Sequence, residues 1–545
     1  MFKNMATLDI GVLALYFLVI FGVAIYFFIQ RIRNRKGPNT SSYFLGGRDL
    51  SWWVIGASLF ASNIGSEHLI GLAGAGAAGD FAAGQFEILA SIILLILGWF
   101  FVPFYMRSGV YTMPEFLQKR YSTWARDYLS WLSIVAYVLT KIAVTIAAGA
   151  IVFKTLLGVS FWSGALLIVI ITGAYTILGG LKVVVYTDFI QMIILLLGSI
   201  ALTWFSLEAL GGWGELKALT QPSDLSLWRN AGDPDFPWTG ILLGAPILGV
   251  WYWCTDQFIV QRVLAGKNEK QARLGTIFGG FLKLLPLFLF VLPGVVALAL
   301  AKGPDALITF PLEADGSVDH DAALPLLTLA ILPVGFKGLV VAGLLAALMS
   351  SLSSVFNSCS TIFTLDIYRK YVPSASEKRL VYVGQIVTVI LVILGIAWIP
   401  LMSFIEGGLF QKLQSIQAYI SPPIAAVFLF GILSRRVTDK AAKIALITGA
   451  LLGAIRLALE IAQEHLHGVL LDFSEINFLH FAFMLFVICS IILFTFSRSQ
   501  DAKPVAEISS ITWQKNVLKN SGSMKEVILS AALCVSVLIL WIVFK

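Results

Sequence analysis

Apolar residues in this chain gather into runs long enough to cross a bilayer, which takes roughly 20 residues of helix. They recur near 8–30, 52–75, 82–106, 128–157, 161–178, 187–207, 238–261 and 274–301, then near 335–366, 380–400, 409–433, 442–463, 476–496 and 526–544. The pattern predicts an all-α integral membrane protein with about fourteen transmembrane helices. Polar residues interrupt it at particular places. The stretch "FASNIGSEHLIGLAGAG", residues 60–76, sets Asn63, Ser66, Glu67 and His68 beside Gly65 in the second run. A helix broken at mid-membrane depth exposes carbonyls and amides, and that is tolerated only where they line a cavity or bind something. Asn63-Ile64-Gly65-Ser66 reads as such a break. Ser62 or Ser66 alone could equally be a polar contact to a neighbouring helix, but Asn63, Glu67 and His68 together point to a site.

A second break is expected in "LGVWYWCTDQFIVQR", residues 248–262, where Gly249, Thr255, Asp256 and Gln257 interrupt the seventh run. It begins five runs after the first break. An odd number of spans per unit inserts the second unit upside down, so broken helices at the heads of two such units suggest an inverted-repeat secondary transporter. The ninth run, "AALMSSLSSVFNSCSTIFT", puts Ala347, Ser350, Ser351 and Ser354 on one helical face. Such neutral oxygens suit a hard cation like sodium; the alternative is serine back-bonding to helix carbonyls.

Three ionisable groups also fall within apolar runs, where each is costly unless paired or facing water. Glu87 and Lys283 could be a structural pair or could bind substrate, and Asp188 could cap a helix or hold a cation.

Composition supports the membrane reading: 58% of the 545 residues are hydrophobic, 13% are charged, and the mean hydropathy is +0.87. The net charge of +7 could suggest nucleic acid. Its distribution argues otherwise. Basic clusters such as Arg31 to Lys36, Lys119 to Arg126, Arg262 to Arg273 and Arg369 to Arg379 alternate with acidic loops around Asp224 to Asp235 and Asp305 to Asp321. Basic loops face the cytoplasm, so both termini are expected outside a plasma or inner membrane. Only Lys3 precedes the run at 8–30, so it is not expected to be a signal peptide, whose positive charges come before the apolar stretch. Cys254, Cys359, Cys489 and Cys534 fall in apolar segments without metal-like spacing. His465 and His467 read as solvated loop residues. No GxxxxGK[ST] phosphate cradle is present, so a primary pump is not expected.

The segments "ASNIGSEHLIGLAG", "WYWCTDQFIVQR", "FLKLLP", "SSLSSVFNS", "TIFTLDIY" and "SPPIAAVFLFGI" resemble the solute:sodium symporter family, in its sodium/glucose cotransporter branch, over about residues 40–460. The resemblance implies a five-plus-five inverted-repeat core of the amino-acid/sodium symporter type. Residues 1–50 would hold the first helix and a basic loop, 51–237 the first repeat, 238–440 the second, and 441–545 peripheral spans with a linker at 497–525.

It implies a sugar site of Asn63, His68, Glu87, Tyr252, Trp253, Lys283 and Gln414, with Tyr252 as inner gate and Leu72, Phe86 and Phe410 as outer gate. Sodium, the coupling ion, would be held by carbonyls of Ala61, Ile64 and Ala347 and hydroxyls of Ser350 and Ser351, with Asp188 and Ser353 offering a second sodium site. Glu67 resembles inositol-carrying relatives, and Gln411 stands where sugar carriers commonly have Asp. The expected partners are a sugar or polyol, sodium and membrane lipid, and not nucleic acid. A sodium/myo-inositol symporter and a sugar-gated sodium channel or sensor are the alternatives, while an enzyme is disfavoured because no nucleophile and base pair or metal set is visible.

Overall fold

A computed structural model describes residues 5–33, 39–302, 306–313, 316–398, 409–498, 503–513 and 522–545, nearly all of them in helices. The elements that build the interior, in chain order, are α1 (Thr7–Arg33), α2 (Trp52–Asn63), α3 (Ser66–Ala77), α4 (Gln85–Ile96), α5 (Thr123–Ala136), α6 (Ala143–Val152) and α7 (Phe161–Leu210). They continue with α8 (Gln257–Leu264), α9 (Glu269–Leu282), α10 (Leu292–Leu300), α11 (Phe336–Ile362), α12 (Leu409–Leu433) and α13 (Met524–Val543).

Among the described residues, ten helices are long and apolar enough to cross a membrane, fewer than the apolar runs predict. The difference has a physical cause. The run at 52–75 is two short helices, α2 and α3. Those at 128–157 and 238–261 are short α-helices joined through π-helical turns. The runs at 161–178 and 187–207 merge into α7, which bends at Gly180. There φ is 62°, and an added Cβ would lie 2.5 Å from the Tyr43 carbonyl, so the bend needs glycine.

Helix α11 stands at the centre. In its most apolar 18-residue stretch 94% of residues are buried inside the protein, against 17% for α13 at the periphery. A helix apolar all round is thus enclosed by protein, while α1 and α13 turn Leu18, Ile25, Val535 and Ile539 outward to where lipid would lie. The longest contact is α7 on α11; α2 lies along α9, and α3 along α10. Without a strong hydrophobic force between helices in lipid, close association relies on small residues. Helices α3 and α10 illustrate this: a Cβ on Gly294 would come 1.9 Å from the Ala73 carbonyl, and one on Gly76 would come 2.2 Å from that of Val291.

Gly294→Val is therefore expected to lower stability by about 1–3 kcal/mol, the usual cost of overpacking. Gly11→Ala, with nothing within 4 Å of the added carbon, should be neutral. Thermal unfolding of the purified variants checks both, and equal midpoints would refute the close approach.

Candidate functional site

Three helix interruptions build the site. The first lies where the sequence predicts it: α2 ends at Asn63, Ile64 turns extended with ψ 91°, and α3 begins at Ser66. In a continuous helix the Gly65 N–H would bond to the Ala61 carbonyl. Here it donates to the Asn63 carbonyl at 3.1 Å. The end of α2 thereby concentrates carbonyl oxygens, at the pole of the helix dipole that favours a cation.

The second interruption is at Asp256 (ψ 127°), after a π-helical turn from Val250 to Thr255. Gly249 is helical there, contrary to the expectation that it opens the break. Asp256 caps α8 by accepting from the Phe258 N–H at 3.1 Å. The third follows α9, because Pro286 has no N–H to offer the Leu282 carbonyl and the chain turns at Lys283.

These turns bring distant side chains together. Asn63, His68, Glu87, Tyr252, Trp253, Lys283 and Gln414 all line one cavity of about 60 Å³, as does Phe86. Lys283 is buried; its ammonium donates to Asn63 Oδ1 at 2.5 Å and to the Glu87 carboxylate, and lies 5.5 Å from the Trp253 ring centroid. Asn63 Nδ2 in turn donates to the Tyr252 hydroxyl at 3.1 Å. The result is a polar chain from Glu87 to Tyr252 walled by aromatic rings, able to bond hydroxyl groups on one side and cover an apolar C–H face on the other.

Beside this cavity the first break meets α11. Ser351 Oγ donates to the Ser62 carbonyl at 3.3 Å. Asp188 is fully buried within α7 rather than at a helix end, so it is not a cap. Its carboxylate accepts from Ser350 Oγ at 2.6 Å, Ser58 Oγ at 2.5 Å and Ser62 Oγ at 3.1 Å, with the Arg262 guanidinium 3.8 Å away. Arg262 also reaches Ser58 at 2.8 Å, and Ser354.

The model of the Sodium:solute symporter family matches residues 43–449. The chain belongs to the sodium:solute symporter family. Sodium/glucose cotransporter 1 of Ovis aries is 40% identical over 536 residues, covering 92% of this chain and 79% of the relative. The sodium/myo-inositol cotransporter of Canis lupus familiaris is 38% identical over 563 residues, covering 95% and 77%. In three dimensions the chain is similar to a Na+-coupled sialic acid symporter solved in a substrate-bound outward-open state, with a TM-score of 0.77 at 21% identity over 91% of this chain and 99% of that one. A nucleobase-cation-symport-1 family transporter aligns with a TM-score of 0.51 at 14% identity over 87% of this chain and 99% of the other. This family member therefore has the fold of sodium- and cation-coupled transporters.

Some expected site residues fall elsewhere. Leu72 is buried in the apolar core and does not line the cavity. The side chains of Glu67, Phe410 and Gln411 lie outside the described residues. Ser353 donates to the Ser350 carbonyl at 3.0 Å, the back-bonding alternative, and it is Ser350 whose hydroxyl reaches Asp188. Gln417 also lines the cavity, three residues after Gln414 on the same helix face, and that spacing in "QKLQSIQAY" was the available signal. Ser58 and Arg262 carry no comparable signal, since only packing sets them beside Asp188.

The Lys283 and Glu87 charges are expected to stand or fall together. Lys283→Met alone leaves a buried carboxylate and should cost about 3–5 kcal/mol, whereas Lys283→Met with Glu87→Gln should recover at least half of that loss. Thermal unfolding of purified variants measures it, and a double variant less stable than either single one would contradict the pairing.

Proposed function

We propose that this family member is a sodium-coupled secondary active symporter that imports a sugar, a hexose such as glucose or galactose, by alternating access. The observation that carries the reading is the convergence of seven polar and aromatic residues from five separate segments on one cavity, adjoining a helix break whose oxygens suit sodium. The similarity to sodium/glucose cotransporters supports the sugar as cargo. The near-equal identity to a sodium/myo-inositol cotransporter makes that polyol the second reading. In this account the chain has fourteen spans, both termini outside a plasma or inner membrane, and inverted repeats formed by spans two to six and seven to eleven. It performs no covalent chemistry.

Sodium entering from outside meets the carbonyls of Ala61, Ile64 and Ala347 and the hydroxyls of Ser350 and Ser351, and fixes the end of α2. That sets Asn63 for sugar, and Tyr252 and Phe86 then exchange access to the two sides. A second sodium would be held at Asp188. Each charge crossing 100 mV supplies about 2.3 kcal/mol. One sodium thus supports somewhat over one decade of sugar gradient and two about three decades, at about 1.4 kcal/mol per decade.

Uptake of radiolabelled glucose, galactose and myo-inositol into proteoliposomes, with and without an inward sodium gradient, tests the cargo. Uphill hexose accumulation is expected; sodium current without uptake would mark a channel instead. Lys283→Ala and Gln414→Ala should weaken sugar uptake by about 5- to 150-fold, as loss of a buried bond worth about 1–3 kcal/mol implies. Unchanged affinity in both would remove them from the sugar site.

In the same vesicles, the double change Ser350→Ala with Ser351→Ala should raise half-saturating sodium about tenfold or more, with little effect on sugar affinity at saturating sodium. The sugar gradient that balances a known voltage gives the number of ions. A two-ion value falling to one in Asp188→Asn is expected for the second site, and a one-ion value in the unaltered protein would exclude it.

A further inference from the structure

On the other side of Tyr252 lies a charged cluster that neither the sugar nor the sodium reading uses. Lys141 sits in a π-helical turn, Tyr137 to Ile142, between α5 and α6. Its ammonium is 3.0 Å from Asp256 Oδ2 and stands over three rings, 3.8 Å from the centroid of Phe258, 4.5 Å from that of Tyr252 and 5.0 Å from that of Tyr137. Asp256 also accepts from the Tyr137 hydroxyl and the Phe258 N–H. The pair is nearly enclosed, with 11% of the lysine side chain and 2% of the aspartate exposed. Lys141 further borders a void of about 20 Å³ shared with Asn63, Tyr252 and Ser351, between the sugar cavity and the sodium-type oxygens. One ammonium therefore touches the broken end of the seventh span, the face of the gate tyrosine and the passage between the two candidate sites.

Helix packing alone does not account for it. A buried ion pair is costly to desolvate and is often matched in stability by apolar residues of similar volume, so its presence inside a membrane points to use. The arrangement also repeats the sodium site with one substitution. At the first break, the Ser62 carbonyl at the interruption of span two faces the Ser351 hydroxyl of the ninth span, among the oxygens that the symport reading gives to a free cation. At the second break, Asp256 at the interruption of span seven faces the fourth span, which supplies the cation itself. In a five-plus-five inverted repeat, spans two and seven correspond, as do four and nine.

We propose that Lys141 is a tethered cation standing at the pseudo-symmetric counterpart of the sodium site, and that its bond to Asp256 makes it a positioning residue for Tyr252 in the closed inner gate. This rests on the symport reading above. Sodium, which arrives and leaves, orders one broken helix; Lys141, which cannot leave, holds the other until Tyr252 swings aside and water replaces the ring at the ammonium. Only one of the two breaks then answers to the ion gradient. A loosened second break would let sodium pass without sugar.

The test compares Lys141→Met, Lys141→Arg, Asp256→Asn and the double variant Lys141→Met with Asp256→Asn, each as full-length protein in proteoliposomes. Two quantities are read: sodium flux in the absence of sugar, and site-resolved maleimide labelling of Cys359, a buried thiol of α11 between Ser358 and Thr361, both of which bond Gln261 of α8 just past the second break. Lys141→Met is expected to raise the leak and the labelling about tenfold and to lower the sugar carried per sodium. Lys141→Arg should restore low leak and low labelling, and the double variant should be no worse than either single change, since the two residues act as one unit. If Lys141→Met does not fold, Asp256→Asn, which keeps an acceptor at the helix cap, carries the same comparison. Leak and labelling unchanged in a folded variant, or additive effects in the double variant, overturn the proposal. Failure of the unaltered protein to accumulate sugar overturns the symport reading instead, and the labelling result still decides the role of Lys141.

Discussion

Hydrocarbon offers no partner to a polar backbone group, and everything distinctive in this molecule follows from placing broken helices where that penalty can be met. The interruptions at Ile64, Asp256 and Lys283 all lie in apolar runs, and each turns inward to side chains of other spans. Ser351 bonds the Ser62 carbonyl, Asp256 caps its own helix, and Pro286 removes a donor that would otherwise have kept α9 straight. These three breaks thus turn irregular backbone toward the interior, and the interior becomes the site.

The first break also explains how two cargoes can be linked. At two consecutive residues the chain faces both ways: the Ser62 carbonyl meets Ser351, while the Asn63 side chain joins Lys283 and Tyr252 on the cavity side. Ordering one side of so short a segment orders the other. In the proposed symport, coupling needs no long pathway, since the ion and the sugar would share the same few backbone torsions. The Gly-mediated approach of α3 to α10 packs the distal end of this segment tightly against its neighbour.

Charge burial follows the same logic. Lys283 is tied to Glu87 and Asn63, Arg262 to Asp188 through serines, and Lys141 to Asp256. Three cations and three carboxylates lie close together without any being left alone, which is the condition for keeping them inside a membrane. Each pair also touches a helix break or the residue next to one.

Much of this was legible in the sequence, for reasons that can be stated. Hydrophobic runs report the solvent around a helix, so the membrane class and the apolar segments follow from composition and length alone. A polar cluster with glycine in such a run is too costly to be incidental, and the break at Asn63–Ser66 was found on that ground. Other features depend on contacts between residues far apart in the chain, which no local pattern encodes. That Asp188 lies mid-helix with Ser58 and Arg262, that Ser353 bonds its own backbone while Ser350 does not, and that Lys141 stands over Tyr252 were decided only by how the helices cross. Periodicity assigns a residue to a face of its own helix; which helix that face meets, and at what height, is a property of the packed molecule.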